Sequence, residues 1–138
     1  MGHPQLDNLV RSGNLKIEPP SETEYRGLLA SGLLRLEDAG RDDLSLESRF
    51  DLAYNASHAL ALAALRVKGY RSDSRYLVFQ CLQHTIDLPN AQWRVLDQAH
   101  RKRNLAEYEG EMDVDAQLVE AMLRVAGEVA ERVKKLVG

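Results

Sequence analysis

A chain of 138 residues with a formal charge of −3 is long enough for one domain that removes roughly 68% of its unfolded surface from water. It lacks the overall basic charge that drives non-specific nucleic-acid binding, so any anion site has to be local. One cysteine, Cys81, excludes an intramolecular disulfide and a cysteine-rich zinc centre, and no stretch resembles a secretion signal or a membrane span of about 18 apolar residues.

Leu and Ala supply 37 residues against two of Ile, a bias toward strong helix formers and away from strands, and the expectation is an all-α fold. Residues 1–20 lack sustained periodicity; a short helical turn around Leu6 to Val10 leads into an extended strap, LKIEPP, anchored by Leu9, Leu15 and Ile17. The first long helix starts at SETE, where Ser21 and Glu24 have the spacing of a capping box. Tyr25, Leu28, Leu29, Gly32, Leu33 and Leu36 follow at helical intervals, and Gly40 ends it.

A second helix, about Ser45 to Lys68, carries apolar residues on two faces and is therefore expected to be central. Gly69 closes it in the left-handed conformation, with Tyr70 and Arg71 in the turn. A third runs from about Ser74 to Ile86 and stops at Asp87-Leu88-Pro89. Asn90 caps a fourth that continues to Gly110, and Asp113 caps a fifth with Val114, Leu118, Met122, Val125, Val129 and Leu136 along one side. The expected architecture is an up-and-down bundle of about five helices, residues 21–138, preceded by an N-terminal strap, residues 1–20.

The fourth helix concentrates the chemistry. In AHRKRNLAEYEG, a step of about 100° per residue continues the apolar stripe of Trp93 and Leu96 into His100, Arg103, Asn104, Glu107 and Tyr108. Val95, Ala99 and Ala106 lie on another face that is free to meet the core. Arg101, Lys102 and Arg103 add three cations in a row, and arginine presents a planar fork that matches phosphate oxygens. The same charges also suit a solvated helix, with Asp97–Arg101 and Arg103–Glu107 as i,i+4 pairs.

Arg103-Asn104, preceded by HRKRN and followed four residues on by Tyr108, resembles the motif of the HEPN superfamily, in which an arginine and a polar residue precede a histidine by four to six positions. NLVRSGNLKIEPPSETE, AYNASHALALAALRVKGYR and the last helix extend that resemblance over about residues 5–137. Tyr108 stands where the family has histidine. The resemblance implies a homodimer whose motif helices face each other across a cleft, with RNA or a nucleotide as ligand. In active members it implies metal-independent RNA cleavage. Arg103, Asn104 and Tyr108 then form the catalytic set, and His100, Arg101 and Glu107 surround the ligand. No metal or cofactor is expected.

Such cleavage needs a base for the ribose 2′-OH, an acid for the departing 5′-oxygen and a cation for the phosphorane. A phenol with a pKa of about 10 is a poor base at neutral pH, which leaves open an enzyme with altered chemistry, a binding protein without activity, and a substitute role for His100. Arg94 precedes His100 by six residues and gives a second register for the motif. A different class also fits, a protein-interaction module whose partner, by family analogy, is a minimal nucleotidyltransferase acting as antitoxin, with Tyr108 as a conceivable acceptor for nucleotide modification.

Elsewhere, the Cys81–His84 spacing supplies too few ligands for zinc. His58, in an alanine-rich helix, reads as packed and hydrogen-bonded, and Arg71 as a charge on a helix C-terminus. The expected compartment is the cytoplasm, with no membrane partner.

Overall fold

The computed structural model describes residues 3–110 and 113–138; Met1 and Gly2, at the head of the expected strap, and Glu111 and Met112 lie outside them. The protein is an all-α bundle. Its elements are α1 (Pro4–Arg11), β1 (Lys16–Ile17), α2 (Glu22–Ala39), α3 (Leu46–Val67), β2 (Tyr70–Arg71), α4 (Arg75–Gln80), α5 (Leu82–Thr85), α6 (Asn90–Glu109) and α7 (Ala116–Val137).

The helix starts are written in short polar residues. Ser21, Ser45, Ser74 and Asp115 have extended backbones, and each accepts a hydrogen bond from the backbone N–H three residues on, filling a donor that the helix itself leaves open. Two expected caps move. Asp115 rather than Asp113 opens α7. Asn90 lies inside α6, where its Oδ1 accepts from the Trp93 indole at 2.7 Å. The single helix expected over residues 74–86 divides at Cys81 into α4 and α5.

α3 is the central element, in contact with α2, α4, α5, α6 and α7. Phe50, Ala53, Tyr54, Ala56, Leu60, Ala61, Ala63, Ala64 and Leu65 on it are buried, as are Leu118, Val119, Met122, Val125, Val129 and Val133 on α7. α2 approaches α3 closely at Gly32, where a Cβ would stand 2.7 Å from the Leu60 side chain.

The strap is part of the same core, since Leu6 and Leu15 are buried in it. Of its expected anchors, Leu15 holds, Leu9 is half-buried, and Ile17 is 68% exposed. What replaces Ile17 is polar. β1 pairs antiparallel with β2, Lys16 opposite Arg71 and Ile17 opposite Tyr70. Arg66, only 1% exposed, donates to Glu24 Oε1 at 2.6 Å and to the carbonyls of Glu18, Pro19 and Tyr70 at 3.0, 2.7 and 3.2 Å. Arg71 adds ion pairs to Glu18 and Glu24. These bonds hold the Glu24 carboxyl below the usual range, chiefly the one from Arg66, and its carboxylate is occupied here, while Ser21 still caps α2 through the Glu24 N–H. Among the described residues, no helix is long and apolar enough to cross a membrane.

Candidate anion site around Tyr54

Three helices deliver side chains to one ring. In α6 the residues at positions 100, 103, 104 and 107 share a face because they are separated by three or four residues. α3 presents Tyr54 and, one turn on, His58 by the same spacing. α4 begins at the Ser74 cap, which sets Arg75 on its first turn and Phe79 one turn later.

Tyr54 is the hub, and it is 1% exposed. Its hydroxyl lies 2.8 Å from His100 Nδ1, with the two ring planes 10° apart. The Arg103 and Arg75 guanidinium carbons stand 4.9 and 5.4 Å from the centroid of its ring, within the reach of a cation–π attraction. Phe79 sets its edge against Tyr54, His58 and His100 at 5.7 to 6.2 Å. Asn104 Nδ2 is 3.2 Å from His100 Nε2. With that amide nitrogen facing it, Nε2 accepts, and Nδ1 carries the hydrogen that reaches the phenol oxygen.

The electrostatics are unbalanced. Arg103 pairs with Glu107 at 3.1 Å, a carboxylate whose side chain is 64% exposed. Arg75 donates to a neutral acceptor, Asn55 Oδ1, at 3.2 Å and forms no ion pair among the described residues. Asp97, the other carboxylate near His100, is paired with Arg101. Arg103 has the well-solvated Glu107, a weak neutraliser, and the unpaired Arg75 leaves one cation in excess among the described residues. Burial raises the Tyr54 pKa, with Arg75 and Arg103 opposing it, so the phenol keeps its proton. Burial lowers the His100 pKa, Asp97 and Glu107 raise it, and Arg75 and Arg103 lower it; the imidazole is neutral at pH 7. His58 falls to about 4, first by burial, then through Arg75 and His100.

The structure thus brings together His100, Arg103, Asn104 and Glu107 of the residues expected from sequence. Arg101 points elsewhere, to Asp97 at 3.0 Å, with its side chain 77% exposed. Tyr108 is 95% exposed and makes no hydrogen bond among the described residues; the chain does not bring it to Arg103. Arg94 is exposed and shares no bond with His100. Arg71 belongs to the strap clamp.

Sequence reasoning missed Tyr54, His58, Phe79 and Arg75 as site members. The available signal was AYNASH, an i,i+4 tyrosine and histidine in an otherwise apolar helix. His58 packs on Phe79 as expected for a core histidine, but among the described residues it makes no hydrogen bond. Among the described residues, no three His, Cys, Asp or Glu side chains are grouped to hold a metal ion.

Comparison of the chain with protein-family models, with curated proteins and with solved structures found no match.

Proposed function

We propose that the chain is a HEPN-like dimeric protein that binds RNA or a nucleotide through a phosphate held at Arg103 and Arg75. One observation carries this reading: two arginines and a neutral histidine converge on the buried Tyr54 ring, with Arg103 paired to a solvated glutamate and Arg75 without an ion pair among the described residues. A phosphate supplies the charge this arrangement lacks, and a guanidinium pair grips it with several charge-assisted hydrogen bonds. Tyr54 positions the other groups, since it is too buried to touch a ligand. The exposure of Tyr108 and Leu105 on α6, 95% and 56%, supports the dimeric part of this reading, in which a second copy of the helix covers them.

In a ribonuclease reading, His100 Nε2 takes the 2′-OH proton as the 2′-oxygen attacks phosphorus. The bond to the 5′-oxygen breaks, that oxygen takes a proton from water, His100 gives its proton back to solvent, and Arg103 and Arg75 face the charge on the phosphorane. The lowered His100 pKa keeps the ring uncharged at neutral pH, and Nε2 takes the substrate proton in place of the Asn104 N–H it accepts from in the free chain. Purified protein should then cleave single-stranded RNA in EDTA, with activity rising as pH climbs through a value below 6.5. Arg103→Ala should abolish cleavage without unfolding the chain. Loss of RNA binding on the same substitution, with no cleavage by the parent chain, selects a binding protein.

The same exposed pair, Leu105 and Tyr108, favours a second reading, an interaction module that docks a nucleotidyltransferase antitoxin. Leu105→Asp would then abolish partner capture while Arg103→Ala would not. A buried lone thiol, Cys81, pushed up to about 12 by burial, suits the reducing cytoplasm.

A further inference from the structure

Between α2 and α3, next to the anion site, runs a groove of about 450 Å³ lined by Leu28, Ser31, Arg35, Asn55, His58, Ala59 and Leu62. That volume lies in the range of small-molecule sites. Its polarity is ordered along its length. The two helices are consecutive and antiparallel, and the contact of Gly32 with Ala56 and Leu60 fixes their register. At about 1.5 Å per residue, Arg35 is then level with Asn55, and Leu28 with Leu62. One end holds Arg35 and Asn55, and through the Asn55–Arg75 hydrogen bond it joins the anion site. The other end is aliphatic.

Arg35, at the charged end, and Arg75, bonded to Asn55 there, have neutral partners. Arg35 donates to the Ser31 hydroxyl and Arg75 to the Asn55 amide, and neither forms an ion pair among the described residues. His58 stands midway, on the groove wall and against Phe79, with its ring nitrogens unbonded within the described chain. Burial keeps it uncharged near neutrality, so it offers one donor and one acceptor. An apolar floor, an uncharged donor–acceptor edge and two cations at one end match a planar heterocycle joined to a phosphate.

We propose that this groove is a nucleobase subsite: it takes the base of a nucleotide against Ala59 and Leu62, with His58 on the base edge and the attached phosphate on Arg75, where the Asn55 hydrogen bond joins the groove to the anion site. This rests on the phosphate-binding reading above and adds a base requirement that the reading does not contain. The base comes either from a free mononucleotide or from an unpaired nucleotide of a strand.

The test uses the full chain and fluorescence anisotropy with a short single-stranded oligoribonucleotide and an abasic ribose-phosphate oligomer of equal length. Burying one base yields a preference of about tenfold for the base-bearing oligomer. Ala59→Phe, which fills the groove, should erase that preference while circular dichroism shows the helices intact. Adenosine monophosphate that competes away the preference assigns the site to free nucleotides; a preference that persists in its presence assigns it to a strand. Equal affinity of the parent chain for both oligomers, or a preference that survives in folded Ala59→Phe, overturns the subsite. Arg103→Ala separates the two readings: if it weakens both oligomers while the parent shows no base preference, the anion site stands and the groove falls. If the parent binds neither oligomer, both fall.

Discussion

Two arginine pairs in this molecule face opposite fates. Arg66 and Arg71 are held by two carboxylates, Glu18 and Glu24, and three backbone carbonyls take up the remaining donors of Arg66. Arg75 and Arg103 rest on a tyrosine ring and share a solvated glutamate and an amide. The first pair is neutralised by two carboxylates and holds the strap to the end of α3. The second has donors and charge in excess. Residue type alone therefore does not separate a structural arginine from a binding one; the acceptor supply around it does.

The largest expected effect breaks the first pair. Arg66→Ala leaves three carbonyls without their donor and Glu24 with Arg71 alone, and unmaking bonds around so buried a guanidinium costs on the order of 3 kcal/mol. Urea denaturation should show that loss, with the strap residues Leu15 to Pro20 losing protection in hydrogen exchange.

Acid probes the second region. His58 is held neutral with its pKa at about 4 against an ordinary 6.5, so the unfolded chain binds a proton that the folded chain refuses between those values. The stability this neutral state supports is intact above pH 6.5 and declines as pH falls toward 4, by on the order of 2 to 3 kcal/mol at about 1.4 kcal/mol per unit. His58→Gln should flatten that part of the pH–stability curve.

Gly69 sharpens the clamp. Its φ of +90° lies in the left-handed region, and its carbonyl accepts from Glu18 N–H at 3.0 Å, so Gly69→Ala should cost about 1 to 2 kcal/mol by thermal melting. The smallest effect belongs to Tyr108→Phe. An exposed phenol without an intrachain partner contributes within about 0.5 kcal/mol of stability, and only dimer or partner measurements should register its loss.

The sequence made the helices legible because their signals are local. Ser21, Ser45 and Ser74 cap through neighbours three residues away, and the alternating faces of α3 and α7 declare a central and a flanking helix. Where the signal was long-range, it was invisible. Glu24 has the spacing of a capping box, yet it binds arginines 42 and 47 residues further on. Nothing near Arg66 in the chain foretells its three carbonyls from the strap and the turn. Half the α6 stripe was placed well, since His100, Arg103, Asn104 and Glu107 share one face, whereas Tyr108 turns off it. Tyr54, 46 residues before His100, joins the site only through the packing of α3 on α6.

The difference between the two arginine pairs can be read in one paired measurement: the affinity for a single-stranded oligoribonucleotide and the urea midpoint of Arg75→Ala and Arg103→Ala beside the parent chain. Surface-type ion pairs and cation–π contacts of this kind contribute about 1 kcal/mol or less to folding, so both midpoints should move little while affinity falls at least about tenfold, the worth of one charge-assisted contact to phosphate. Unchanged affinity in both variants, or a loss of stability as large as that of Arg66→Ala, would contradict the account and return these arginines to a structural role.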